Sequence, residues 1–195
     1  MIIYLHGFNS AGSPENDKVI ALKTLDDVHI VTYDSFADPR TILKQIQTEV
    51  EDINDKVFVG TSLGGYFAAH LAKHYGVPSV LINPAYAPEE SLKALLGITL
   101  TNFVSGKRDI MLAETVKAYA EMPSIQKLTD YHIIPLVIIA EDDELLSPQA
   151  SKKFFSELIV VTTPTGGHRY DQPEQIIDEI QDYLSDALFV TDLDS

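Results

Sequence analysis

Six short apolar runs, separated by stretches of helical periodicity, constrain the fold more than any other feature of this sequence. They are Ile2–His6, Val28–Tyr33, Lys56–Gly60, Pro78–Asn83, Pro135–Ala140 and Leu158–Thr162. Most are rich in Val, Ile and Leu without polar alternation, as strands buried on both faces of a parallel sheet are. Helix candidates lie between them. Ser13-Pro14-Glu15 reads as an N-cap followed by proline at the first helical position, opening a helix to about Leu25. Asp38-Pro39 opens a second to about Ile53, and Gly64–Tyr75 forms a third that ends at Gly76. Ser147-Pro148 opens one to about Phe155 and Pro173 opens the last, to about Leu188, leaving Thr191–Ser195 as a polar, frayed tail. Alternating β and α units predict one α/β domain, an open and mostly parallel six-stranded sheet with right-handed crossovers and helices on both faces. One interval breaks the rhythm. Pro84–Ile134 separates two consecutive strands and carries helical patterns near Pro88–Leu96, Ile110–Glu121 and Pro123–Asp130. Open α/β sheets hold their sites at the carboxyl ends of the strands, so this interval reads as a small helical cap over such a site.

Composition removes several kinds of chemistry. The chain has no cysteine, which excludes disulfides, thiolate metal sites and cysteine catalysis. A formal net charge of −15 argues against nucleic acid and anionic membrane surfaces, and sets an unfavourable long-range field for anionic substrates. No apolar run approaches the length of a membrane span. The first residues carry no basic segment, and Ile2–Leu5 is too short for a signal core and reads as a core strand, so little can be removed there and a cytoplasmic protein is expected. Gly64-Gly65 lacks the Lys-Ser/Thr of a phosphate-binding loop. His70 and His74, four apart, lack the glutamate of a metalloprotease helix, so neither cofactor nor metal is expected.

Gly60-Thr61-Ser62-Leu63-Gly64 joins the third apolar run to the third helix. A serine between strand and helix, with glycine two residues to either side, is the G-x-S-x-G nucleophile elbow. The turn is so sharp that side chains at the two glycine positions would meet backbone, and the strain exposes the serine hydroxyl near the positive end of the helix. Serine needs a base, and the base an orienting carboxylate, each on a loop after a later strand. Leu136–Ala140 runs into Glu141-Asp142-Asp143-Glu144, and Asp143 stands three residues before Leu146 and the helix-opening Ser147-Pro148. That spacing favours Asp143 as the acid, with Asp142 the alternative. Glu141 and Glu144 add negative potential that favours a charged histidine. His168 follows the last strand and two glycines, and is the only histidine after the acid. For an oxyanion, the amide of Leu63 and an amide from the loop His6-Gly7-Phe8-Asn9-Ser10, that of Phe8, are the candidate donors. His6, Asn9 and Asn83, the last closing the fourth strand, are candidates for lining the site. Lys107-Arg108 is a basic pair in the cap that could meet a substrate carboxylate or phosphate.

These residues resemble the α/β-hydrolase superfamily. The wording is closer still to its small YqiA/YcfP-type esterase group: Tyr4-Leu5-His6-Gly7-Phe8-Asn9-Ser10, Thr61-Ser62-Leu63-Gly64-Gly65-Tyr66, Asn83-Pro84-Ala85 and Thr101-Asn102-Phe103. The resemblance covers most of the chain. It implies a strand order of 2-1-3-4-5-6 without the antiparallel N-terminal strands of larger hydrolases, and carboxylester or thioester hydrolysis with Ser62, Asp143 and His168 as triad. The expected partner is a small acyl ester or thioester. The competing expectations are a silent hydrolase-fold scaffold, and acyl transfer or C–C bond hydrolysis on the same three residues.

Overall fold

The apolar runs pair side by side, every neighbour parallel, into one sheet. The architecture is that of a computed structural model, which describes residues 1–102, 104–127 and 130–193. Its strands are β1 (Ile2–Leu5), β2 (Val28–Val31), β3 (Val57–Thr61), β4 (Ser79–Ile82), β7 (Leu136–Ala140) and β8 (Ile159–Thr163), in the spatial order β2-β1-β3-β4-β7-β8. Counting these six alone, that is the 2-1-3-4-5-6 order. Ile3 faces Phe58 across β1 and β3, and Leu81 faces Val137 across β4 and β7.

Both faces of the sheet are covered. Ile3, Leu5, Phe58, Leu81 and Val137 point to one face, where they pack with α2 (Pro39–Val50) and α3 (Leu63–Tyr75). Ile2, Tyr4, Val59, Val80 and Ile138 point to the other, against α1 (Asp17–Leu22) and α7 (Ile177–Leu193). The central strands β1, β3, β4 and β7 are buried at every position, hence their uninterrupted apolar sequence, whereas the edge strands β2 and β8 are half-exposed. Each fully buried Leu, Ile or Phe contributes about 1.5–3 kcal/mol. None of the described helices is long and apolar enough to cross a membrane.

Helix ends follow capping chemistry, with three departures from expectation. The cap of α1 is Asn16, whose side chain accepts from the amide of Lys18; Ser13 instead closes a turn onto Glu15 and Asn16, so α1 starts three residues later than Pro14 suggests and ends at Leu22. Asp38 caps α2 and Ser147 caps α6 (Pro148–Phe154) as expected, while Gly76 ends α3 in the left-handed conformation. Pro173 opens a turn of 3₁₀ helix, Pro173–Ile176, and α7 then runs to Leu193, so Thr191–Leu193 is helical rather than frayed. Asp194 and Ser195 lie outside the described residues.

The largest departure is in residues 84–134. They hold α4 (Pro88–Lys93) and α5 (Ala113–Ala120), but between them lies an antiparallel hairpin, β5 (Thr99–Thr101) with β6 (Arg108–Ile110). Ile110 pairs with Thr99 in this hairpin, so it precedes the helix rather than opening it. Asn102 makes the turn: its side-chain oxygen accepts from the amides of Val104 and Ser105. In the expected helix Pro123–Asp130, residues 123–127 are bends and irregular chain, and 128–129 lie outside the described residues, as does Phe103 of the resemblance motif.

Candidate active site

Ser62 is held at φ 57° and ψ −119°, a conformation that costs a non-glycine residue of order 1–3 kcal/mol. The surrounding backbone imposes it. The Ser62 amide donates to the carbonyl of Ile82, and its carbonyl accepts from the amides of Tyr66 and Ala85. The glycines give the room. A Cβ on Gly60 would lie 2.2 Å from the carbonyl oxygen of Gly64, and one on Gly64 would lie 2.1 Å from that of Leu5. The elbow is thus pressed against the end of β1, and Gly7 comes beside the nucleophile: a Cβ there would be 3.4 Å from Ser62 Cβ.

Three side chains from three loops meet at this point. Ser62 Oγ lies 2.9 Å from His168 Nε2, and His168 Nδ1 lies 2.9 and 3.0 Å from the two carboxylate oxygens of Asp143. The side chains of His168 and Asp143 are only 10% and 2% exposed, so the pair sits in a medium that strengthens its electrostatics. Burial pushes the Asp143 carboxyl up. The bond from His168 and those from the amides of Leu146 and Leu145 outweigh it, so the carboxyl is held below the usual carboxylate range. With Asp143 ionised, Nδ1 is the protonated nitrogen and Nε2 is left to accept from Ser62.

Of the other acids of the run, Glu141 pairs with Lys152 at 2.8 Å, and two serve the histidine loop instead of the ring. Asp142 accepts from the amide of Gly167 at 2.8 Å, and Glu144 accepts from the amide of His168 at 2.9 Å. Asn83, expected as a lining residue, is buried behind the site at φ 41°. Its side-chain NH₂ donates to the carbonyls of Gly167 and His168, at 2.8 and 3.2 Å, and its oxygen accepts from the amide of Ala140 at 2.8 Å. It therefore ties the histidine loop to the end of β7, with no polar atom left for a substrate. The signal in the sequence is the Asn-Pro strand exit; its partners, 57 to 85 residues away in the chain, are not readable there.

His6 is likewise a support and not a lining residue. Its ring stacks on Tyr33 at 4.2 Å, Nε2 accepts from the Tyr33 amide at 3.3 Å, and Nδ1 lies 2.8 Å from the carbonyl oxygen of Gly7. The Tyr33 hydroxyl donates to the His6 carbonyl. With Nε2 an acceptor, Nδ1 is the donor. Burial lowers the pKa of His6 against the opposing effect of these backbone bonds, which keeps the ring neutral. The Gly7 carbonyl and the Phe8 N–H share one planar trans peptide, so fixing the carbonyl fixes the N–H on its far side. Neither the Phe8 nor the Leu63 N–H has a protein acceptor among the described residues; the latter is one of the unsatisfied donors that open α3. The Phe8 ring packs on Phe36 at 4.8 Å.

Asn9, the third expected lining residue, is 3% exposed and donates to the carbonyl of Thr101 in β5. The Lys107 ammonium is spent on Asp34 and Asp109, at 2.9 and 3.0 Å, while Arg108 stands exposed on β6. His70 and His74 lie against different rings, those of Tyr66 and Tyr75.

A family model described as the uncharacterised protein family UPF0227 matches residues 1–185. Among curated relatives, a UPF0227 protein of Vibrio vulnificus is 34% identical over 98 residues, 47% of this chain and 54% of that protein. A UPF0227 protein of Pectobacterium atrosepticum is 29% identical over 153 residues, 69% of this chain and 85% of the relative. The chain thus spans about half the length of the first of these relatives. Among solved structures, Est1E from Butyrivibrio proteoclasticus superposes with a TM-score of 0.74 at 18% identity, covering 96% of this chain and 87% of that one. A monoacylglycerol lipase of Paleococcus ferrophilus gives 0.66 at 16% identity, covering 94% and 93%. Likeness at this identity carries the fold, which is that of the α/β hydrolases.

Proposed function

We propose that this chain, which belongs to the UPF0227 family, is a serine hydrolase that cleaves small carboxylic esters or thioesters through an acyl-enzyme on Ser62. The observation that carries the reading is the unbroken hydrogen-bond chain from Ser62 Oγ through His168 to Asp143, at 2.9 Å for each link. His168 Nε2 takes the proton of Ser62 as Oγ attacks the acyl carbonyl. The Leu63 and Phe8 N–H groups receive the oxyanion, one at the start of α3 and one on the peptide held by His6. His168 then gives its proton to the leaving alkoxide or thiolate. In the second half it activates water to release the acid, and Asp143 stabilises the imidazolium in both. The name of one solved neighbour, a monoacylglycerol lipase, agrees with this class of chemistry. The negative net charge and the neutralised Lys107 favour uncharged, short acyl substrates.

Ser62→Ala is expected to lower kcat on a p-nitrophenyl ester by about 10⁶-fold, roughly 8 kcal/mol of transition-state stabilisation. A fluorophosphonate should label the wild type once, at Ser62. Folded protein that takes no label would make the site a binding site, and undiminished turnover by Ser62→Ala would move the chemistry elsewhere.

A further inference from the structure

The hairpin of residues 84–134 is joined to the Phe8 loop by a reciprocal pair of amide side chains. Asn9 Nδ2 donates to the carbonyl of Thr101 at 3.0 Å, and Asn102 Nδ2 donates to the carbonyl of Ser10 at 2.9 Å. Each asparagine thus reaches the backbone beside the other. We propose that this clamp makes the hairpin a part of the oxyanion site, with Asn9 and Asn102 as positioning residues for the Phe8 N–H. The proposal rests on the serine-hydrolase reading above.

Three observations carry it. Asn9 directly follows Phe8 and holds φ 54°, the left-handed conformation that asparagine takes more readily than other non-glycine residues. It is pinned at its amide by Ser35 Oγ, at 2.9 Å, as well as at its side chain. The same hairpin and the helix after it also grip the loop that carries Ser35 and Tyr33: Lys107 pairs with Asp34, and Thr115 Oγ1 donates to the carbonyl of Phe36 at 3.1 Å. Tyr33 is the stacking partner of His6, so the insert reaches both flanks of the Gly7–Phe8 peptide.

An oxyanion donor acts only where charge develops, so its displacement lowers kcat and leaves ground-state binding. Two variants loosen the clamp while sparing the local fold. Asn9→Gly keeps the left-handed backbone and drops the amide. Asn102→Asp keeps the oxygen that accepts from Val104 and Ser105 and drops the donor to Ser10. Each is expected to lower kcat about 10- to 100-fold with KM within about twofold, a part of the 10²–10³ that a lost donor costs. Affinity for a short alkyl trifluoromethyl ketone, which forms a tetrahedral oxyanion on serine, should fall by the same factor. The double variant should be no worse than the poorer single, because both break one clamp. If Asn102→Asp does not fold, Asn9→Gly carries the test. Variants that fold and keep kcat and ketone affinity within twofold of wild type, while Ser62→Ala is inactive, overturn the clamp and leave the hydrolase reading standing. A wild type without Ser62-dependent turnover overturns the hydrolase reading itself.

Discussion

His70 sits on α3, two turns past the nucleophile, with its ring against Tyr66 and its Nε2 buried without a partner among the described residues. Burial, with the charge of Lys73 on the same helix adding to it, lowers its pKa to about 4. Tyr66, the ring it touches, lies against Tyr119 of α5, and both phenols are pushed upward by burial, so no charge near neutral pH comes from them. The sign follows. Above pH ~6.5 neither folded nor unfolded His70 holds the proton. Between that value and about 4 the unfolded chain takes it and the folded chain does not, so stability falls as pH falls, by about 1.4 kcal/mol per pH unit for this one group. Urea unfolding of His70→Gln at pH 7, 6 and 5 is expected to show a shallower loss than wild type; equal slopes would refute the assignment. The residue types of the candidate site were legible: glycines at fixed offsets from Ser62, an acid after β7, a histidine after β8. The supporting residues were not. Asn83, Asp142 and Glu144 grip the histidine loop across more than 20 residues, and His6 stacks on Tyr33 and accepts from its amide 27 residues on, because each role depends on which loops the sheet order brings together.

At the scale of elements, the elbow is a three-body contact among β1, β3 and α3. Two predictions separate crowding from backbone freedom. Gly64→Ala would set a methyl group 2.1 Å from the Leu5 carbonyl oxygen and 2.7 Å from that of His6, backbone atoms that cannot turn aside. It is expected to cost more than about 3 kcal/mol, beyond ordinary overpacking. Gly97→Ala, at φ 73° but with nothing within 4 Å, should cost about 1 kcal/mol, the backbone term alone. Urea midpoints of the two variants give the comparison, and a Gly64→Ala no worse than Gly97→Ala would mean that β1 and α3 are not in contact. This contact explains why the α/β core was readable from sequence while the insert was not. A buried parallel strand announces itself by four or five apolar residues in a row, and an elbow by its glycines. β5 and β6 have three residues each, pair only with each other, and leave Ile98 and Ile110 exposed. Such segments offer too few positions to establish a period of two. Their apolar residues fall instead into register with those of α5, which is why a helix was expected to start at Ile110.

For the whole molecule, the dominant physical fact is a net charge of −15 carried by 195 residues. An anionic substrate approaching Ser62 meets that field before it meets any side chain. Of the basic pair expected to offset it, Lys107 is bound between Asp34 and Asp109, and only Arg108 stands exposed beside it. Screening separates this long-range effect from the chemistry. At 0.01 M salt the Debye length is about 30 Å, comparable with the size of the molecule, and at 0.15 M it is about 8 Å. Raising salt across that range should therefore increase kcat/KM for an acyl-CoA thioester severalfold, through encounter, while kcat at saturation stays constant. For a neutral p-nitrophenyl ester both constants should stay flat. If acyl-CoA turnover instead falls as salt rises, a local cationic site outweighs the global field. Arg108, exposed beside Lys107 on the hairpin, is then the first residue to replace, and Arg108→Ala should restore the rise with salt.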